Sequence, residues 1–255
     1  MNDSPEYLAK KKKFDSMLTL YGRNAVLEAL EDESVTPIAL HLSNSNIDAL
    51  VIDKMVEVAK RKNIQIKTHD KKALSRISKN AKQDQGVALD IQMRSYINVT
   101  QYLQQHPAHA RIIALDSINN PQNLGMILRS CAAGNIDAVI VPKKGSAKIS
   151  PLVIKASAGA LFKTTIIYSE TLDEALKAFK KEDFTLYNLS LDSRQSLFET
   201  KTGQKSIFVL GNESEGVSKE INALCDASLI IPMNNEVESL NVAVTASLIA
   251  FLPTV

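Results

Sequence analysis

At 255 residues, 45% hydrophobic and 23% charged, the chain has an ordinary soluble composition and length enough for one large or two modest domains. No apolar stretch reaches the about 18 residues of a membrane span, "MNDSPEYLAKKKKFDSM" has no apolar signal core, and Cys131 and Cys225 lack a C-x-x-C spacing, so a reducing cytoplasm is the expected setting. The net charge of +2 hides ten Lys and Arg residues between Lys54 and Lys82, where Glu57 and Asp70 are the only acids. Such a cluster fits a phosphate backbone, but charge runs of this kind are more often a solvated lysine-rich helix face.

In chain order, residues 1–16 read as a flexible basic tail. "YGRNAVLEALED" predicts an amphipathic helix, "PIALHL" a strand, and "NIDALVIDKMVEVAKRKN" a second helix with Ile47, Leu50, Val51, Met55 and Val58 on one face and Ser45 or Asn46 as its cap. "IQIKT" alternates as a strand, "DKKALSRIS" is a short helix opened by Asp70, and "GVALDIQ" is another strand. This alternation over 17–94 predicts a small α/β domain. The polar, weakly patterned "SYINVTQYLQQHPAHA" predicts a linker over 95–108, and its His106 and His109 read as a loop pair, with no metal site. From 109 to 255 the short apolar runs "RIIAL", "DAVIV", "TTIIY", "FTLYNL", "SIFVL" and "SLIIP" suit a parallel sheet covered on both faces.

Ligands bind at strand ends in such sheets. After "RIIAL" comes "DSINNPQNLGMILRSCAAG", where Pro121 and Gly125 are expected to shape a loop and Arg129 to lie near the start of a helix. Asn123 and Arg129 there read either as a phosphate or hydroxyl site or as a cap and a surface ion-pair donor. After "SIFVL" comes "GNESEGVSKEI", which is neither G-x-G-x-x-G nor a Walker A loop, and its acids disfavour a phosphate. After "SLIIP", Pro232 stops the strand, and Ser239 and Asn241 are expected in the first turn of a very apolar helix. Capping explains one of those polar residues better than both.

Together, "NNPQNLGMILRS", "VLGNESEGV" and "IPMNNEVESLNVAVTAS" resemble the three motifs of the SpoU/TrmH-type RNA 2′-O-methyltransferases, a branch of the SPOUT superfamily. "YGRNAVLEAL" and "QDQGVAL" resemble the small RNA-binding substrate domain of that family. The resemblance is nearest to the ribosomal-RNA guanosine 2′-O-methyltransferases and the thiostrepton-resistance type. It implies a C-terminal α/β trefoil-knot domain, a homodimer whose knots pack together, and methyl transfer from S-adenosylmethionine to a ribose 2′-hydroxyl of RNA. By motif position, Gly211, Ile231 and Leu240 hold the cofactor, Leu210 and Met233 add pocket wall, and Asn123, Arg129, Glu213, Ser239 and Asn241 form the catalytic group. Ribosomal RNA is the favoured substrate. Transfer RNA and a non-catalytic knotted RNA-binding dimer are the competing readings.

Overall fold

The computed structural model describes residues 17–33, 35–46, 50–80, 83–92 and 96–253. The tail expected over 1–16 lies outside the described residues, as do Ile47, Lys82 and Ser95. The chain divides into two compact units at Ser95/Tyr96. No described helix is long and apolar enough to cross a membrane.

The N-terminal unit contains β1 (Met17–Tyr21), α1 (Arg23–Glu31), β2 (Thr36–Ser43), α2 (Leu50–Arg61), β3 (Gln65–His69), α3 (Lys71–Ser78) and β4 (Val87–Gln92). Its sheet runs β1-β4-β2-β3, with only β2 and β3 parallel. Leu20, Leu89 and Leu40 stand opposite one another across three strands, and they are buried together with Val26, Leu30, Met55 and Val58 of the two long helices. Strand side chains alternate between faces, so Thr19, His41 and Asp90 point the other way. There the Thr19 hydroxyl donates to Asp90 Oδ1 at 2.6 Å, His41 Nε2 lies 3.0 Å from Asp90 Oδ2, and His41 Nδ1 lies 2.9 Å from His69 Nε2. Burial raises the Asp90 carboxyl, but the hydrogen bonds from His41 and Thr19 outweigh it and hold the pKa below the usual value. The strand "MLTLY" is absent from the sequence reading, because its status depends on pairing with β4, about 70 residues away in sequence. The basic cluster is partly neutralised from outside its own stretch: Lys54 pairs with Glu31 at 2.6 Å and Lys62 with Glu33 at 3.2 Å.

The C-terminal unit begins earlier than expected. In place of a linker over 95–108, β5 (Ile97–Asn98) pairs with a later strand and α4 (Val99–Leu103) follows it. The polar residues in this stretch cap the helix: Asn98 accepts from Gln101 N, and Gln101 Oε1 accepts from Asn98 N, both at 2.9 Å. Its apolar residues Ile97, Val99, Tyr102 and Leu103 pack on the core. Next come β6 (Ala110–Leu115), α5 (Pro121–Ala133), β7 (Ala138–Pro142), α6 (Pro151–Ala156), a 3₁₀ turn at Ala160–Lys163, β8 (Ile166–Ser169), α7 (Leu172–Lys180), β9 (Thr185–Leu189), β10 (Lys205–Leu210), α8 (Lys219–Asn222), β11 (Ala227–Leu229) and α9 (Val242–Ala250).

Seven strands form an all-parallel sheet in the order β11-β9-β10-β6-β7-β8-β5. One face buries Ile112, Ile140, Ile207 and Val209 with Leu172, Leu176 and Phe179 of α7 and Tyr102 of α4. The alternate residues Ile113, Val139 and Phe208 are buried too, as are Leu124, Ile127 and Leu128 of α5 and Ala246 and Ile249 of α9. Helices α5 and α9 lie against each other, joined by a 2.7 Å bond between the Ser130 and Ser247 hydroxyls.

Two glycines permit these close approaches. A Cβ on Gly125 would sit 2.5 Å from Ala156 Cβ and 2.6 Å from Val153 O of α6, and one on Gly134 would sit 2.4 Å from Ala250 O. The segment after α9 is clamped to the sheet by Arg111, whose Nη1 and Nη2 donate to Leu252 O and Pro253 O at 2.9 and 2.8 Å. A Gly125→Val substitution should cost about 2 kcal/mol or more by overpacking the α5–α6 contact. Urea unfolding of the purified chain checks this, and a stability equal to that of the unsubstituted chain would contradict the packing described.

Candidate active site

The residues expected to form the site sit on segments that follow the C-terminal ends of β6, β10 and β11. Leu115 and Leu210 are in register, and Asp116 N donates to Leu210 O at 2.8 Å, so the segments after β6 and β10 leave the sheet side by side. Asp116 Oδ2 then accepts from Ser218 N at 2.7 Å and pins the far end of the second loop.

After β6, Asn120 caps α5 by accepting from Gln122 N at 2.8 Å, and Pro121 occupies the first helical turn. Pro121 and Gly125 therefore lie within the helix and do not shape a loop. The cap is Asn120, which leaves Asn123 buried in the first turn at 6% exposure. Arg129 is not near the helix start. It lies two turns in on the exposed side, and its side chain has no hydrogen bond or ion pair among the described residues.

After β10, Gly211 packs so closely on the returning chain that a Cβ would meet Gly216 C and O at 2.0 Å. Asn212, which the sequence reading passed over, shapes this loop: its Oδ1 accepts from Ser214 N at 2.9 Å and Glu215 N at 2.7 Å, and its carbonyl accepts from Gly216 N at 3.0 Å. An Asn bonding the backbone two and three residues on is an Asx turn, so the signal was present in "GNES". Gly216 closes the loop at φ 69°.

After β11, the apolar helix begins at Val242, later than expected. Asn241 is its N-cap, with Oδ1 accepting from Ala243 N at 2.9 Å, and exposed Ser239 lies in the preceding loop, so neither residue is in the first turn. Capping thus accounts for Asn241 but leaves its amide nitrogen free for another task.

That nitrogen and the buried Asn123 converge on one carboxylate. Glu213 Oε1 accepts from Asn123 Nδ2 and from Asn241 Nδ2, each at 2.6 Å, and Asn241 Nδ2 also lies 3.3 Å from Asn123 Oδ1. These charge-assisted bonds tie α5, the 211–217 loop and α9 together at one point.

Two cavities flank the cluster. The first, about 260 Å³, is lined by Leu210, Gly211, Ile231, Met233 and Leu240 together with Glu213, Ser239 and Thr245. It gathers all five residues expected to hold a cofactor. The second, about 420 Å³, is lined mainly by hydroxyls and amides, from Ser117, Asn119, Asn120, Asn123 and Asn212, with Glu213 again at its wall. Of the five residues expected to act in catalysis, Asn123, Glu213 and Asn241 are bonded together and Ser239 borders the first cavity, while Arg129 borders neither.

No cluster of three or more His, Cys, Asp or Glu among the described residues is arranged to hold a metal. Burial pushes the Cys131 thiol up to about 12; burial and then the Asp226 charge push Cys225 to about 11, so neither is a ready thiolate. Replacing Glu213 by alanine leaves Asn123 Nδ2 buried without its acceptor and should cost about 1–3 kcal/mol. Ser239→Ala, at an exposed position, should stay within about 0.5 kcal/mol. Denaturant titration of both variants tests the difference, and equal stabilities would count against the cluster as a tie.

The described geometry has close relatives. Residues 110–251 match the model of the SpoU rRNA Methylase family, and residues 19–97 match that of RNA 2′-O ribose methyltransferase substrate binding. The chain is 32% identical over 237 residues to the 23S rRNA (guanosine-2′-O-)-methyltransferase RlmB of Xylella fastidiosa strain 9a5c, covering 91% of this chain and 94% of that one. It is 30% identical over 243 residues to an uncharacterized tRNA/rRNA methyltransferase of Mycolicibacterium vanbaalenii, covering 94% of this chain and 77% of that one. Among solved structures, the SpoU methyltransferase AviRb from Streptomyces viridochromogenes, in complex with AdoMet, superposes with a TM-score of 0.75 over 94% of this chain and 90% of its own, at 19% identity. With more than half of its length matched to the family model and its site assembled from all three motif segments, the chain belongs to the SpoU rRNA methylase family.

Proposed function

We propose that this chain methylates the ribose 2′-hydroxyl of a guanosine in large-subunit ribosomal RNA. Its class is that of the family, an S-adenosylmethionine-dependent RNA 2′-O-methyltransferase. The RlmB relative supports the guanosine and the ribosomal substrate by its likeness over nearly the whole chain. The observation that carries the reading is the Asn123–Glu213–Asn241 cluster, which stands between an apolar cavity and an amide-lined one.

The apolar cavity fits the cofactor. Leu210, Ile231, Met233 and Leu240 offer walls for a flat base, and Gly211, which has no room for a Cβ against Gly216, adds its backbone to the lining. When bound, the cofactor supplies a sulfonium methyl group as the electrophile. The amide-lined cavity suits the hydroxyls of a ribose, while its two acids, Glu213 and Glu215, disfavour a phosphate within it, and Ser239 stands at the rim of the neighbouring space. Glu213 orients the two amides, and the protein's main contribution is position.

A guanidinium offers donors and no acceptor, so Arg129 is not the base that takes the 2′-hydroxyl proton. Its role in this reading is to bind the phosphate next to the reacting hydroxyl and to stabilise the developing alkoxide, while the proton passes to water or phosphate. Within one protomer Arg129 stands apart from the cavities, on the exposed side of α5 with Met126. Met126, Val244 and Phe251 are 40%, 46% and 62% exposed, and the first two lie on adjacent helices. This apolar strip suits a homodimer, in which Arg129 of one protomer serves the cavities of its partner. The trefoil knot belongs to the same reading, since 116–123, 211–217 and 231–241 are the segments it would bind together.

A methyl-transfer assay with labelled S-adenosylmethionine, offered unmodified large-subunit ribosomal RNA and total transfer RNA, should label one ribosomal nucleotide. Label confined to transfer RNA would overturn the substrate. Arg129→Ala should lower turnover by about 10² to 10³, as loss of a transition-state donor does, with cofactor affinity within about twofold. Near-normal turnover would remove Arg129 from the mechanism. Val244→Asp places a charge in the apolar strip and should shift sedimentation from dimer to monomer; an unchanged profile would relocate the interface.

A further inference from the structure

We propose that a cleft in the N-terminal unit binds an unpaired nucleotide of the RNA substrate. This rests on the reading of the chain as an RNA-modifying enzyme and goes on to say which part of residues 19–97 meets the RNA. The cleft, about 670 Å³, forms where "GRN" at 22–24 and "DQG" at 84–86 come together beside Ser45, Asn46 and Lys71.

The two stretches are locked to each other. Arg23 N donates to Gln85 Oε1 at 2.8 Å, Arg23 Nε donates to Gln85 O at 3.3 Å, and Gly22 N reaches Val87 O at 3.4 Å. Gln85 takes a left-handed φ of 54°, a backbone region that disfavours side chains bearing a Cβ, and Gly86 follows at 77°. Asn46 closes on Gly86 so tightly that a Cβ there would lie 2.2 Å from Asn46 Oδ1, while Asn46 Nδ2 donates to Gly86 O at 2.7 Å. The one acid at the wall, Asp84, is turned inward: it is buried, and it accepts from Ser78 Oγ and Gly86 N, each at 3.0 Å.

What remains facing the cleft is a consistent set. The two Nη groups of Arg23, the Lys71 ammonium, the Asn24 amide and Gln85 Nε2 have no partner among the described residues. A guanidinium fork and an ammonium fit a phosphate. Free carboxamides present a donor and an acceptor together, the pattern that reads a base edge. No aromatic side chain lines the cleft, so a base is held there by its edge and not by stacking. In an RNA duplex the Watson–Crick edge is paired and the other edge lies in a deep, narrow groove that side chains cannot enter, which selects an unpaired nucleotide in a loop or bulge.

The test uses the full chain with unmodified large-subunit ribosomal RNA and transfer RNA as probes. Asn24→Ala and Lys71→Ala should each weaken RNA binding about fivefold to tenfold, with thermal midpoint and S-adenosylmethionine affinity unchanged. Lys71→Ala should also reduce the slope of log affinity against log salt by about one phosphate contact. Lys72→Ala, an exposed lysine outside the cleft, serves as control and should change affinity by less than about twofold. Normal RNA affinity in both cleft variants overturns the proposal, as does an equal loss in the control, which would mean a diffuse basic face, or a wild-type chain that binds neither RNA. Methyl transfer is scored separately. A wild type that binds RNA through the cleft yet transfers no methyl group would sink the proposed function and leave the cleft standing; normal transfer with unaffected cleft variants would do the reverse.

Discussion

The parallel ladder between β6 and β10 is the constraint on which the C-terminal site depends. Six residues of each strand lie in register from Lys205 opposite Ala110 to Leu210 opposite Leu115. Because both strands run the same way, the segments that follow them emerge at the same end of the sheet, separated by the strand spacing of about 5 Å. A shift by one residue would turn Ile112, Ile207 and Val209 away from α7 and send the two loops off at different heights. The buried runs on both faces resist that shift, and they thereby set the distance between Asn123 and Glu213.

On this frame the chemistry is held by a small number of polar contacts. Glu213 is the only carboxylate in the cluster, and one of its oxygens takes both amide donors. It sits on a loop that depends on Gly211 for close approach and on Asn212 for its turn. Asn241 divides its side chain between two tasks, with its oxygen capping α9 and its nitrogen joining the cluster. Helix placement and site geometry are therefore coupled through single residues, so a change that frays α9 also loosens the site.

Much of this was legible in the sequence where the signal is local. The apolar runs from Arg111 onward mark buried parallel strands because a strand covered on both faces has no polar alternation to hide it. The five residues that line the apolar cavity come from the family resemblance, by motif position, and not from any local pattern. What stayed illegible depends on distant partners. "MLTLY" becomes a strand only against Val87–Gln92, and "INVTQYL" looked like linker because its polar residues are a capping box whose apolar neighbours pack on Ile167 and Phe179. Helix starts differ by about a turn from expectation at Asn120 and Asn241, since Asn119, Asn120 and Asn123 in one segment and Ser239 and Asn241 in the other are all able to cap, and only tertiary packing selects one. The separation of Arg129 from the Asn123–Glu213–Asn241 cluster is a property of helix rotation about the α5 axis, which sequence spacing does not encode.

The clamp of Arg111 on the carbonyls of Leu252 and Pro253, with Asn135 N reaching Ala250 O at 2.6 Å, joins the first long strand of the C-terminal unit to residues about 140 positions later. Arg111 stays without these acceptors, and β6 without much of one covering layer, until residue 253 has been synthesised. The N-terminal unit needs nothing beyond Gln92 for its sheet. The two units thus have their partners at different points of synthesis: the front half has its whole sheet once Gln92 is made, while the C-terminal unit waits for its last helix and the residues after it. That interval leaves apolar edges uncovered, the condition in which nascent chains call on chaperones.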